Sequence, residues 1–287
     1  MWQRSYDGSS TLYLIPTPIG NMDDVTFRTI NILKEVEVVF SEDTRVTANF
    51  LNHFDIKKKL ISLHDHNEDL VKDKVLKYLS DGKNVGLVTD RGTPIISDPG
   101  YKTVKYVSDL GYNVVALPGA NAFVPALIVS GLPPQPFTFY GFLDSRDSKK
   151  RKELKSLVNV ANTMIFYEAP HRIVKTLKMM LEILGDRNIS LSREISKKFE
   201  SVYRGKISGI LNDSENMKGE FVIVVSGCHL KMQKYDDDYI IELVNNYIDN
   251  GFSVTDSIKV VASELKLKKN DVYNLYHKGS DRKWNWL

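Results

Sequence analysis

The chain has 287 residues, of which 42% are hydrophobic and 26% charged, and a net charge of +3; this fits a globular chain of about two domains and excludes disordered, collagenous and coiled-coil classes. No apolar run approaches the ~18 residues that a spanning helix needs, and the polar stretch Met1 to Thr11 lacks the apolar core of a signal peptide. The single cysteine, Cys228, leaves no internal disulfide and no cysteine-based zinc or iron–sulfur site, so a cytoplasmic location is expected.

In chain order, Leu12–Ile15 reads as a strand closed by Pro16 and Pro18, and Phe27, Ile30, Leu33 and Lys34 follow helical spacing. Val36–Phe40 and Lys59–Leu63 read as strands, and Leu70, Val71, Val75, Tyr78 and Leu79 form a helix face. Asn84–Thr89 is a strand, Val104–Leu110 a helix and Asn113–Leu117 a strand, after which Gly119 opens an apolar stretch to Ser130. Strands alternating with helices imply crossover connections, and strands that are nearly continuous apolar runs imply a parallel sheet covered on both faces.

The proline cluster in Gly131–Pro136 is the strongest break in the chain. It suggests a tail at 1–11, an α/β domain at 12–132 and a second α/β domain with a mixed sheet at 133–234. The second domain has strands near Phe137–Gly141, Thr163–Tyr167, Ile189–Ser192 and Phe221–Ser226, with helices near Lys149–Val158 and Ile173–Leu184. The remainder, 235–287, reads as a helical module with helices at Tyr239–Asn250, Val254–Leu265 and Asn270–His277; Ser253 and Asn270 stand where helix caps belong.

The charge is unevenly spread. Residues 1–144 carry a net −3, residues 145–206 a net +8, and residues 235–287 a net −2. A basic block of this kind is either a solvated face or the footprint of a polyanion. Nucleophile-elbow, phosphate-loop and zinc-protease signatures are absent, and His64, His66 and His171 lack the partners of a clear metal site. No dinucleotide-binding glycine fingerprint follows the first strand.

Four glycine- and proline-bearing loops stand instead at strand ends: Pro16–Asn21, Thr89–Pro94, Ser97–Gly100 and Leu117–Ala122. In a parallel sheet the ligand crevice lies outside the carboxyl ends of the strands. Asp90 in this set suits a ligand with hydroxyl or ammonium groups, or serves as a turn residue. Four further polar clusters follow strands: Ser41–Arg45, His64–Glu68, Tyr167–Arg172 and Ser192–Lys197. They read as structural ion pairs at a domain seam or as a polar cleft that positions a nucleophile.

These stretches together resemble the ribosomal RNA small-subunit methyltransferase I family of the tetrapyrrole methylase superfamily. The matching residues are Thr17–Asn21, Glu42–Arg45, His66–Glu68, Gly92–Pro94, Ile96–Gly100, Pro118–Gly119, Ser130–Pro133, Gly141–Leu143, Tyr167–Glu168, Pro170–Arg172, Arg193–Glu194 and Gly219–Val222, in family order. The resemblance implies two α/β domains with the cofactor between them, a homodimer, and methyl transfer from S-adenosylmethionine to a cytidine ribose 2′-hydroxyl in the decoding region of 16S ribosomal RNA. It assigns the cofactor to Pro16, Thr17, Pro18, Gly20, Asn21, Asp90, Gly92, Thr93, Pro94, Pro118, Gly119, Gly219, Glu220 and Phe221.

On the same basis Glu42, Asp43, Arg45, His66, Asn67, Glu168, His171, Arg172, Arg193, Glu194 and Lys197 are placed around the acceptor, with Glu168 or His171 as proton acceptor. Arg146, Lys149, Lys150, Arg151 and Lys152 are candidates for RNA-backbone contact. The helical tail serves either for RNA contact or as a dimer or packing module. The chain departs from the family at Arg91, where a small residue is usual, and at Ala120–Ala122, Asp144–Arg146 and Ile195–Ser196. Two other readings remain: a small-molecule methyltransferase acting on a tetrapyrrole-type acid, and an RNA-binding relative without catalysis.

Overall fold

A computed structural model describes residues 2–4, 7–212, 218–228, 235–265 and 267–281. The first half runs β1 (Thr11–Leu14), α1 (Phe27–Glu35), β2 (Val38–Ser41), α2 (Thr44–His53), β3 (Lys59–Ser62), α3 (Glu68–Ser80), β4 (Val85–Val88), α4 (Tyr101–Asp109), β5 (Asn113–Ala116) and α5 (Phe123–Val129). Its strands form one parallel sheet in the order β3-β2-β4-β1-β5. Side chains of a strand alternate between faces, and this alternation decides which helix each one meets. Tyr13 and Val39 pack under α1 and α2 with Ile32, Leu33, Phe50 and Leu51. Leu12, Val38 and Phe40 pack on the opposite face with Val71, Val75 and Leu79 of α3 and Val107 of α4.

The second half runs β6 (Phe137–Phe142), α6 (Asp147–Ser156), β7 (Thr163–Glu168), α7 (Ile173–Leu184), β8 (Asn188–Arg193), β9 (Ser201–Lys206), α8 (Ile207–Asn212) and β10 (Phe221–Val225). The sheet order is β6-β7-β10-β8-β9; β6 and β7 are parallel and the other pairs antiparallel. The expected mixed sheet is therefore present. On one face Met164, Phe166, Ile223 and Val225 pack against Leu154, Leu177, Met180 and Ile210 of the α6–α8 side. On the other face Ile165, Val222 and Val224 pack against Ala126 and Leu127 of α5. Thus α5 precedes the proline break in sequence but packs on the sheet that follows it.

Both sheets belong to one compact unit, Met1–Cys228, and a second unit spans His229–Leu287. The expected end of the second domain, residue 234, lies outside the described residues. In the second unit α9 (Asp237–Asp249), α10 (Val254–Glu264) and α11 (Lys269–Asp281) share a core of Ile240, Val244, Ile258, Val261 and Val272. Ser253 caps α10, its hydroxyl accepting the Asp256 N–H at 3.1 Å. Asn270 does not cap α11; the helix starts at Lys269, and the Val272 N–H already bonds the Lys268 carbonyl.

Helices α2 and α8 and strand β9 are not among the expected elements. Asp43 caps α2, and Thr47, Phe50 and Leu51 supply its buried face. No helix among the described residues is long and apolar enough to cross a membrane.

Candidate functional site

Strands β1 and β4 are neighbours, so the chain leaves their carboxyl ends side by side. Their loops are laced by a pair of backbone hydrogen bonds, Thr17 N–H to the Gly92 carbonyl at 2.9 Å and Gly92 N–H to the Thr17 carbonyl at 3.0 Å. The Thr17 hydroxyl donates to the Thr89 carbonyl, and the Thr93 hydroxyl ties this platform to the third loop through the Ala120 carbonyl at 2.9 Å. Gly92 has φ 84°, and a Cβ there would lie 3.2 Å from Ile19. At Gly119 a Cβ would lie 2.6 Å from the Pro16 ring, so only glycine allows these loops to touch.

The platform floors a cavity of about 320 Å³. The first half contributes Ile19, Arg91, Gly92, Thr93, Ile96, Ser97, Asp98, Asn121 and Ala122. The second contributes Phe142, Tyr167, Glu168, Ala169, Pro170, Ile195, Glu220, Phe221 and Val222. Of the residues expected to hold a cofactor, Gly92, Thr93, Glu220 and Phe221 line the cavity. Pro16, Thr17, Pro18, Gly20, Asn21, Asp90, Pro94, Pro118, Gly119 and Gly219 are not in its lining. Several of these act from behind it. Pro16 and Gly119 form the close loop contact, and the Asp90 carboxylate accepts the Asp43 N–H at 3.0 Å, linking the ends of β4 and β2.

Most of the lining is apolar, which makes its carboxylates informative. Burial pushes the Asp98 carboxyl up to about 6, and the nearby carboxylates Glu42, Asp90 and Asp65 add to that; the Thr89 hydroxyl acts the other way. Burial likewise pushes the Tyr167 phenol up to about 12. This part of the cavity carries excess negative charge in a poorly hydrated wall. A ligand with positive charge on a largely apolar body relieves it.

The rim carries a chain of ion pairs. The Arg91 guanidinium pairs with Glu220, whose second oxygen lies 3.0 Å from Lys197 Nζ; Lys197 also reaches Glu194 Oε1 at 2.9 Å. The Glu220 N–H, donating to Glu194 at 2.8 Å, and the Lys197 ammonium hold the Glu194 carboxyl below its usual range. Ser196 bonds Asp24 of the first half, and a Cβ on Gly20 would lie 2.4 Å from the Lys197 side chain. The 194–197 turn, with Glu194 and Ser196 at positive φ, therefore lies against the β1 loop.

Two expectations change here. Glu168 was expected as proton acceptor, but it is 2% exposed and its oxygens are committed. Oε1 accepts the Ala169 N–H at 2.9 Å, while Oε2 meets Lys150 Nζ at 3.1 Å and the Thr176 hydroxyl. Arg172 Nε lies 3.0 Å from Oε1 without hydrogen-bond alignment, and its Nη2 donates to the Leu143 carbonyl at 2.7 Å. Lys150 was expected on RNA, but it is 2% exposed and held by Glu168 and Thr176, so it presents no charge to an external phosphate.

The remaining candidates are spread around the cavity. Glu42 accepts the Thr89 hydroxyl at 3.1 Å. Arg45 is exposed and doubly bonded to Asp43, whose carboxyl its guanidinium holds down to about 2. Asn67 stitches its own turn, accepting the His64 N–H and donating to the Ser62 carbonyl. His66 is exposed, its ring 6.0 Å from that of His64. His171 is exposed next to Pro170 of the cavity wall, and Arg193 ends β8 opposite Phe221. Arg146 pairs with Asp144 at 2.9 Å and Arg151 with Glu182 at 2.6 Å; Lys149 lies 4.0 Å from Asp144, and Lys152 is exposed.

Sequence reasoning placed Ile19 and Asp98 in loops at the ligand crevice, and Tyr167 and Ile195 in the flanking polar clusters, but gave none of them, nor Ile96, an individual role in the cavity. Asp98 and Ile96 lie in the quoted Ile96–Gly100 stretch, and the Asp-Pro-Gly turn was the available signal.

Residues 11–211 match the family model for tetrapyrrole (corrin/porphyrin) methylases. The chain is 44% identical over 285 residues to "Ribosomal RNA small subunit methyltransferase I" of Bacillus subtilis, covering 96% of this chain and 98% of that protein. It is 42% identical over 284 residues to the protein of the same name from Halalkalibacterium halodurans, again covering 96% and 98%. Among solved structures, uroporphyrin-III C-methyltransferase from Thermus thermophilus complexed with S-adenosylhomocysteine superposes with a TM-score of 0.52 at 18% identity, covering 76% of this chain and 97% of that one. That likeness concerns the fold alone. Near-full-length identity and the family match together show that the chain belongs to the tetrapyrrole methylase family, within its ribosomal RNA small subunit methyltransferase I group.

Proposed function

We propose that the protein transfers a methyl group from S-adenosylmethionine to small-subunit ribosomal RNA, at the ribose 2′-oxygen of a cytidine in the decoding region. The observation that carries the donor is Asp98, a partly buried carboxylate in a mostly apolar cavity wall with Glu42, Asp90 and Asp65 near it. S-adenosylmethionine fits that chemistry, because it carries a cationic sulfur and, across its ribose, a flat aromatic purine whose faces suit an apolar wall. The acceptor class rests on the relatives, which carry the rRNA small subunit methyltransferase I name along nearly their whole length.

When bound, the cofactor supplies an electrophilic methyl group on a cationic sulfur. Asp98 balances its charge, while Ile19, Ile96, Ile195 and Phe221 exclude water around it. Gly92 and Thr93 bring backbone to the cavity without a side chain in the way, held by the Thr17 and Ala120 bonds. Glu168 acts as a fixed anion that sets Ala169 and Pro170 in the wall through the Ala169 N–H. Holding acceptor and donor in line can supply ~7–11 kcal/mol of barrier reduction. His171, one residue beyond Pro170, is the group assigned to take the hydroxyl proton. Arg146, at the N-cap of α6, and Lys149, Arg151 and Lys152 within the helix offer charge to the RNA backbone outside the cavity.

The reading includes a homodimer acting where ribosomes are assembled. Edge strand β6 exposes Phe137, Tyr140 and Phe142, and α5 exposes Val124 and Ile128, which offers apolar surface to a second copy. Light scattering tests the dimer. Methyl transfer from labelled S-adenosylmethionine to small subunits lacking the modification tests the activity, with tetrapyrrole acids as the control acceptor.

A further inference from the structure

Arg91 is the one cation lining the cavity among the described residues. It stands in the loop after β4, directly before Gly92 of the platform, and pairs across the cavity with Glu220 at the start of β10. Its side chain remains about half exposed (54%), and that of Glu220 is equally open (57%). A guanidinium here gains nothing from the sulfonium of the methyl donor, since like charges repel; the donor's carboxylate is an anion that it could meet, and cofactor affinity is the readout that separates that role from contact with substrate. The favourable partner is an anion arriving from the open side.

The proposed acceptor brings such an anion. The 2′-oxygen and the 3′-phosphate of a nucleotide sit on adjacent ribose carbons, so presenting the hydroxyl to the cavity also brings the phosphodiester to its rim. The rim already has a second counter-ion for Glu220: Lys197 Nζ lies 3.0 Å from its other oxygen. Arg91 can therefore turn to a phosphate without leaving Glu220 unpaired.

Resting on the rRNA reading, we propose that Arg91 binds the phosphodiester on the 3′ side of the acceptor nucleotide, and that Glu220 holds the guanidinium in place until the RNA arrives. Arg91 is thus a substrate-binding residue that the cofactor does not need. Two-pronged geometry favours arginine over lysine for this role.

The test compares the full-length wild type with Arg91→Ala and Arg91→Lys, using small subunits that lack the modification. Cofactor binding is read by calorimetry without RNA, and methyl transfer as kcat and KM at several salt concentrations. Arg91→Ala is expected to leave cofactor affinity within about twofold and raise the KM for subunits by about tenfold or more, the scale of one charge-assisted hydrogen bond. The logarithmic salt slope of kcat/KM should shrink by about 0.7–0.9, the share of one phosphate contact. Arg91→Lys should keep the salt slope and recover part of the KM. Loss of cofactor affinity with unchanged KM would assign Arg91 to the donor and overturn the proposal. No change in either, with a lowered melting temperature, would make the Glu220 pair purely structural. A wild type that methylates no subunits removes the rRNA reading and this inference with it; a wild type that does, with an unaffected Arg91→Ala variant, removes only the inference.

Discussion

Lys150 Nζ lies 3.1 Å from Glu168 Oε2, and both side chains are almost completely buried, at 2% and 1% exposure. The contact joins α6 to the end of β7, where the chain enters the cavity wall at Ala169 and Pro170. A lysine in a surface-type basic run is thereby committed to the interior, together with a carboxylate beside the cavity.

Removing one member of this pair strands the other charge in the core. Lys150→Ala should destabilise the compact unit by about 3–5 kcal/mol. Replacing both with methionine should cost less than the sum of the two single losses, although Arg172 then loses the carboxylate 3.0 Å from its Nε and the Ala169 N–H loses its acceptor. Denaturant unfolding checks both; equal losses would show that shape rather than charge sets the cost.

Asp98 gives the protein two pH dependences of known sign. Its carboxyl keeps its proton up to about 6 when folded, against 3.8 ordinarily. The folded state therefore binds more protons between these values, and stability falls as pH rises through that window. Asp98→Asn should be the more stable protein at pH 7, with the difference gone near pH 4.

The same group governs the donor. A cationic cofactor favours ionised Asp98, so affinity should rise with pH up to about 6 and level off above. Asp98→Asn should bind weakly with no such slope. Calorimetry across that range decides it, and a pH-independent wild-type affinity would remove Asp98 from the cofactor's surroundings.

Gly119→Ala forces a Cβ to within 2.6 Å of the Pro16 ring, and a proline ring cannot rotate away. The loops must separate, so cofactor affinity should fall by about tenfold or more while the sheet stays folded, a shift of the order that ~1.4 kcal/mol produces. An unchanged affinity would show that the platform tolerates the shift.

In the C-terminal unit, Ser253→Ala removes the hydroxyl that accepts the Asp256 N–H. It should cost about 1 kcal/mol of local stability. Amide exchange in the first turn of α10 is the readout, and unchanged protection there would refute the cap.

Local chemistry made much of this fold readable. The unbroken apolar runs of Leu12–Ile15, β2 and β4 announce a parallel sheet covered on both faces, and the four loops mark its carboxyl edge. What stayed hidden depends on distant partners. Asp98 owes its burial and charge environment to residues after β2, β3 and β4, which no local pattern joins. Lys150 lies four residues before buried Leu154, so helical spacing already put it on the inner face, but Glu168 had to be known to accept a lysine there. Strand β9 is a polar edge strand whose Arg204 and Lys206 mask the alternation. The apolar positions of α2 were visible, but its first turn overlaps a charged cluster read as part of the site.

A cavity that delivers a methyl group to rRNA leaves a chemical record on the RNA itself. The most direct measurement is transfer from labelled S-adenosylmethionine to small subunits lacking the modification, followed by digestion to nucleosides. Label is expected in 2′-O-methylcytidine and none in tetrapyrrole acids offered in parallel. Label in the acids with unlabelled RNA would contradict the rRNA reading.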